Sequence, residues 1–303
     1  IKYLKGRKFD LYPDFLTGGM IDVSQYNGGE RGGRVRVRAD IEEADKKTLL
    51  IKSVPYGVTT SQLIDSIVKA NDQGKIKIKK VSDNTAAEVE IQVDLAPGIS
   101  PDITIDALYA FTDCEISISP NACVIIDKKP HFVGVTELLK HSVDHTTELL
   151  KLELEILLKE QNEKWHYTSL EKIFFEEKIY KELEKKHEAW ENVLNAIDKA
   201  FVPFKKQLKR EITREDIIKL TEKPVRRIYR LDIEELNNQL KGLEKEISAT
   251  KNNLKNLVGF TISYYEDLLK KYGKGRERKT EIKLFESIQA RQVAIANVKL
   301  YVN

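Results

Sequence analysis

Four arginines, Arg31, Arg34, Arg36 and Arg38, fall within eight residues of the segment NGGERGGRVRVRADIE, residues 27 to 42. Three of them alternate with Val35, Val37 and Ala39. Successive side chains of a strand point to opposite faces, so Arg34, Arg36 and Arg38 are expected to share one. A guanidinium is planar, permanently charged and forked to match phosphate oxygens. Held on a strand and fed by the glycine-rich turn 28 to 33, this row offers a track for a polyanion. Arg31 lies in that turn, and Lys52, on the adjacent candidate strand TLLIKSV, would extend the same face. The other reading is a solvated face whose arginines pair with Asp40, Glu42 or Glu43. Nothing nearby reads as a base-contacting helix, so nucleic-acid contact here would be to the backbone and sensitive to salt.

Other residue groupings point to less. The glycines of NGGERGG are not followed by Gly-Lys-Ser/Thr and lead into a strand, so they are not a nucleotide phosphate loop, and ATP binding by this chain is not expected. His141 and His145 stand four apart around Asp144, a spacing that can chelate zinc, but the metalloprotease glutamate and a third ligand are missing. A wet helix face is the reading there. Cys114 and Cys123 have no zinc partner pattern and read as core or half-buried thiols. Two cysteines in 303 residues suit a reducing cytoplasm. Glu42–Glu43 and Glu176–Glu177 read as solvated. No Ser-His-Asp or Cys-His arrangement is apparent, so no catalytic residue and no bound cofactor or metal is expected in this stretch. No apolar run approaches the ~20 residues of a membrane helix, and no signal peptide is expected.

Charge is unevenly spread. Residues 1 to 80 carry 16 Lys/Arg against 10 Asp/Glu, whereas residues 81 to 130 carry 2 against 9. A basic segment in a near-neutral chain indicates one anionic contact face. Residues 9 to 130 read as mixed α/β. RVRVRADIE and TLLIKSV predict strands around the turn EADKK. Thr59, Thr60 or Ser61 would cap a helix running through Leu63, Ile64, Ile67 and Val68 to Gly74. KIKIKKV and AEVEIQVDL alternate as strands, PDITIDALYAFT reads as a short helix, and CEISISP and CVIIDKKPHFV would complete the sheet.

After Gly134 proline and glycine nearly vanish. Val135, Leu138, Ser142, His145, Leu149, Leu152 and Ile156 predict the seam of a first helix, 134 to about 164. A second seam runs through Tyr229, Ile233, Leu236, Leu240, Leu243, Ile247, Thr250, Leu254, Leu257, Thr261, Tyr264 and Leu268 in alternating steps of four and three. Between them lie Trp165, Phe174, Phe175, Tyr180, Trp190, Phe201 and Phe204, broken by Pro203 and Pro224. Thr213 with Asp216 reads as a helix N-cap. The expected fold class is α+β: a mixed α/β domain, then a long antiparallel coiled coil carrying a helical knob whose exposed aromatic surface is a candidate dimer contact. Both ends read as cut, so a longer parent protein is expected.

Five motifs carry a resemblance to a known family. YPDFLTGGMI (12 to 21), GGRVRVRA, KSVPYGV, VRRIYRLDIEEL and RERKTEI resemble, in order, segments of the A subunit of bacterial type IIA topoisomerases, DNA gyrase and topoisomerase IV. The resemblance implies a tower domain beside bound DNA at residues 1–130. It implies a coiled coil with a terminal dimer gate at 131–282, its knob at about 165–228, and the start of a truncated C-terminal domain at 283–303. The implied partners are double-stranded DNA, a second copy bound through the coiled-coil tip and an ATPase B subunit. Mg²⁺ would serve the intact enzyme, whose B subunit would use the ATP. Arg34 and Arg38 fall at the family's basic slots; Arg36, Arg31 and Lys52 are further candidate DNA contacts. The family's cleaving tyrosine follows an arginine, and none of the 12 tyrosines here sits in an Arg-Tyr-Thr context, which implies no cleavage by this chain alone. The KTEI ending with FESIQARQVAIANVKLYVN favours topoisomerase IV over gyrase. The alternative is a non-enzymatic coiled-coil dimerisation protein with an α/β head.

Overall fold

A computed structural model of the chain describes residues 1–126, 128–186, 189–223, 233–286 and 288. The start of VRRIYRLDIEEL, Pro224, the first seam residue Tyr229 and the expected C-terminal domain beyond 288 lie outside the described residues. The chain divides into two compact units, Lys2–Ser142 with the segment from Leu269, and Val143–Leu268.

The first unit holds two four-stranded sheets and a separate hairpin. Strands β1 (Met20–Asp22), β2 (Val35–Arg38), β7 (Glu115–Ile118) and β10 (Glu281–Ile282) form one sheet in the order β10-β1-β2-β7. Strands β3 (Ile41–Asp45), β4 (Thr48–Ile51), β5 (Ile78–Asp83) and β6 (Ile91–Leu95) form the second, in the order β3-β4-β6-β5. The run RVRVRADIE is therefore two strands in two sheets. Among the described residues strands β8 (Cys123–Ile126) and β9 (Lys129–Phe132) pair only with each other, so CVIIDKKPHFV does not complete a sheet as expected.

Local chemistry explains these elements. Helix α1 (Thr60–Asp72) starts at Thr59, whose hydroxyl accepts from the Gln62 N–H while the Gln62 side chain accepts from the Thr59 N–H. This reciprocal cap satisfies two donors that a helix start leaves unpaired. Helix α2 (Pro101–Phe111) begins on the proline that the first turn tolerates. Leu49, Ile51, Ile91, Val93 and Leu95 alternate inward and pack with Leu63, Ile67 and Leu108 into one buried core.

Helix α3 (Val135–Glu176), which enters the second unit at Val143, continues unbroken past residue 164, so Trp165, Phe174 and Phe175 ride on it. Its buried residues include Val143, Leu150 and Leu154, whereas His145, Leu149, Leu152 and Ile156 of the expected seam are exposed. The segment ELLKLELEILLKE carries two overlapping apolar stripes, and the helix facing it fits the other one. That helix is α6 (Ile233–Lys255), followed after Asn256 by α7 (Leu257–Tyr272). Leu236, Leu243, Ile247, Thr250 and Thr261 of the second seam are buried, whereas its members Ile233 and Tyr264, near the two ends, are exposed. The Thr250 hydroxyl donates to Gln161 Oε1 at 2.9 Å and the Trp165 indole N–H to Glu244 at 3.2 Å, so α6 runs antiparallel to α3.

Helices α4 (Trp190–Phe201) and α5 (Arg214–Thr221) complete a small core with the end of α3. Phe174, Phe175 and Phe201 are its interior, not an exposed aromatic surface; Trp190 is the large aromatic left out, 55% exposed. Thr213 caps α5 through Asp216, as its spacing predicts. Arg210 donates to Asp216 at 2.7 Å and to Glu163 at 2.8 Å, tying that cap to α3.

Candidate nucleic-acid interface

β2 runs antiparallel to both neighbours, with Arg36 opposite Asp22 and Arg38 opposite Glu115. Val35 and Val37 point into a core with Ile21 and Tyr26, which sends the arginines to the other face. That face is already occupied. Arg36 Nη2 donates to Asp22 Oδ2 at 2.5 Å and to the Phe285 carbonyl at 3.1 Å. Arg38 Nε donates to Glu115 Oε2 at 2.6 Å. The Arg38 guanidinium stacks 4.5 Å from the Tyr109 ring centre and 4.3 Å from that of Phe285. Arg38 is 9% exposed and its Nη2 has no hydrogen-bond partner among the described residues. Such close contact with two aromatic rings suits the flat, weakly hydrated cation.

Neither sequence reading foresaw these partners. Arg36 and Arg38 are paired, but with Asp22 and Glu115, not Asp40, Glu42 or Glu43. Opposite charges directly across neighbouring strands attract one another by ~0.2–1 kcal/mol. Asp40 sits between β2 and β3, where its N–H donates to the Ser53 hydroxyl at 2.9 Å. Glu42 and Glu43 are exposed on the second sheet. Lys52 also lies beside that second sheet and pairs with Glu90 at 2.7 Å, so it does not join the arginine face. Arg34 is exposed and its Nε donates to Gln25. Arg31 is exposed with no ion-pair partner among the described residues.

The buried end of this network is Asp22, 2% exposed. Burial alone would push its carboxyl up; hydrogen bonds from Ser24, Arg36 and the Phe285 N–H outweigh that and bring it down to about 2. Burial also pushes the Tyr109 phenol up and the Cys114 thiol up to about 12, so neither is a ready nucleophile. Cys123, expected in the core or half-buried, is instead exposed on β8. His141 and His145 are exposed, and no group of three His, Cys, Asp or Glu side chains among the described residues could hold a metal.

Two motifs far apart in sequence build the cover over the arginines. Asp14 accepts from the Lys279 N–H at 3.0 Å and the Thr280 N–H at 2.8 Å. Arg278 donates to the carbonyls of Tyr12 at 2.9 Å and Pro13 at 2.8 Å. Burial would raise the Asp14 carboxyl, but the Thr280 N–H, first among several donors, holds it below its usual value. These contacts seat β10 parallel to β1, with Met20 opposite Glu281, and deliver Phe285 onto Arg36 and Arg38. A glycine is required at position 19: its φ is +79° and a Cβ there would stand 2.9 Å from the Arg38 carbonyl. The partners Asp22, Glu115 and Phe285 left no local signal; only strand register brings them to the arginines.

The family model for the DNA gyrase/topoisomerase IV A subunit matches residues 1–268. The DNA topoisomerase 4 A subunit of Borreliella burgdorferi is 38% identical over 300 residues, covering 99% of this chain and 47% of that protein. The DNA gyrase A subunit of Lawsonia intracellularis is 31% identical over 147 residues, covering 46% of this chain and 18% of that protein. That of Kosmotoga olearia is 26% identical over 300 residues, covering 93% and 34%. The chain thus spans about half the length of the first of these relatives and less of the others. No helix among the described residues is long and apolar enough to cross a membrane. On the extent of the match, the chain belongs to the DNA gyrase/topoisomerase IV A subunit family.

Proposed function

We propose that this chain is part of the DNA breakage-reunion subunit of a type II topoisomerase, topoisomerase IV rather than gyrase, working in the cytoplasm. The observation that carries the choice is the 38% identity to a DNA topoisomerase 4 protein across nearly the whole chain. In this reading the intact enzyme breaks one duplex, passes another through and reseals it. A tyrosine outside this chain attacks the DNA, Mg²⁺ assists cleavage, and ATP is used on a B subunit. The first unit is the tower beside the DNA. The antiparallel pair of α3 with α6 and α7 is a coiled coil, and the core around Phe174 and Phe201 is the gate through which two copies meet.

The chain's own part is binding, not chemistry. Its free cations contact the sugar-phosphate backbone. Arg31 and Arg34, both exposed, are the arginines available for it. Arg36, Arg38 and Lys52 already hold carboxylates of their own chain, so their part is to set the sheet that presents the glycine-rich turn. That pairing is the observation favouring the alternative, a coiled-coil dimerisation protein without a DNA role.

Anisotropy of a labelled duplex, titrated from low to high salt, separates the two. The expected result is affinity that falls steeply with salt, and a slope smaller by ~2 in Arg31→Gln/Arg34→Gln. Dimers in sedimentation without any salt-dependent DNA affinity would support the alternative instead.

A further inference from the structure

A second row of cations begins in the residues before β5 and runs into the strand, and unlike Arg36 and Arg38 it is exposed. Lys75, Lys77, Lys79 and Lys80 fall within six residues and all four are exposed. Among the described residues none of the four has an ion-pair partner; Lys75 lies 5.9 Å from the Phe111 ring centre. Between Lys69 and Asp83 five lysines face two acids, Asp72 and Asp83. The Asp83 carboxylate is held by the Thr85 N–H at 3.0 Å. The opposite face of the strand is fixed: Ile76 is 1% exposed, and Ile78 and Val81 pack against the core of the second sheet. The register shifts between Ile78 and Lys80, so a bulge at Lys79 turns both Lys79 and Lys80 outward. β5 is an edge of its sheet, with no strand beyond it among the described residues.

We propose that this lysine edge is a second contact for duplex DNA, gripping the sugar-phosphate backbone without reading sequence. Lysines two apart on a strand are spaced ~6.6 Å, against a duplex that carries a charge every ~1.7 Å along its axis. A lysine ammonium is a point charge on a flexible stem, so it follows a phosphate rail without the fixed geometry an arginine fork demands. The competing role is protective, since lysines on an edge strand also block strand pairing between molecules. The inference rests on the DNA reading above and is tested apart from it.

The experiment compares the chain with its Lys77→Gln/Lys79→Gln/Lys80→Gln variant, by duplex anisotropy against salt and by light scattering against concentration. DNA contact predicts a salt slope smaller by ~2 to 3 and affinity at low salt reduced more than tenfold, with folding unchanged. An unaltered slope overturns the inference, whether or not the variant self-associates; self-association with an unaltered slope assigns the lysines to edge protection. Absence of salt-dependent binding by the unmodified chain overturns the DNA reading itself.

Discussion

β2 and β5 are both short strands carrying cations at close spacing, and they put them to opposite use. β2 lies between β1 and β7, so each arginine meets a residue directly opposite on a neighbour, and Asp22 and Glu115 stand at those places. The segment after β10 then closes over the face with Phe285. β5 lies at an edge; Lys80 stands opposite Asp94 on β6, but that carboxylate accepts from Gln92, no ion pair joins the two among the described residues, and Lys79 and Lys80 stay exposed. A cation on a central strand becomes part of the fold; the same charge on an edge stays available. Alternation alone does not tell the two apart, because what decides is the neighbour.

The sharpest break of this comparison is Asp22→Ala. It leaves Arg36 without its 2.5 Å partner and strips two backbone N–H groups of their acceptor. A loss of ~4 kcal/mol in urea unfolding is expected, most of it from the two N–H groups left unpaired at ~1–3 kcal/mol each, since Arg36 is 31% exposed and keeps Glu115 at 3.6 Å. Phe285→Ala comes next. The ring is 7% exposed between two guanidiniums, and removing it should cost ~3 kcal/mol while opening the arginine face to solvent. Restored arginine accessibility would show as faster modification of Arg38 by a guanidinium-specific reagent.

Acid sharpens the same point more gently. The Asp22 carboxyl is at about 2 in the fold against 3.8 as its ordinary value. A depressed folded pKa contributes stability that is complete above pH ~4 and is lost as pH falls through about 2. The expected contribution is ~2 kcal/mol, read as the difference between the chain and Asp22→Asn across that window.

Much of the fold was legible where the signal is local. The Thr59 cap, the inward alternation of β4 and β6, the Thr213 cap and the middle of the second seam, from Leu236 to Thr261, are set by residues a few positions apart, and the structure keeps them, though Ile233 and Tyr264 of that seam are exposed. What failed depended on distant partners. α3 offers two apolar stripes, and the helix opposite selects one. RVRVRADIE reads as one strand, but its halves pair with strands in different sheets. The knob aromatics were read as surface because the helices that bury them are remote in sequence. In the candidate interface the common face of Arg36 and Arg38 was legible, whereas Arg34 lies before the strand and turns to Gln25. The partners of Arg36 and Arg38, 14 and 77 residues away, were not, because register across a sheet leaves no trace in neighbouring residues.

The most direct test sets the two strands against each other in urea unfolding of Arg38→Gln and Lys79→Gln. The account predicts a loss of ~3 kcal/mol for Arg38→Gln, which breaks the Glu115 pair and both ring contacts, and a change within ~0.5 kcal/mol for Lys79→Gln. Equal changes in the two variants, or a larger one at Lys79, would contradict it.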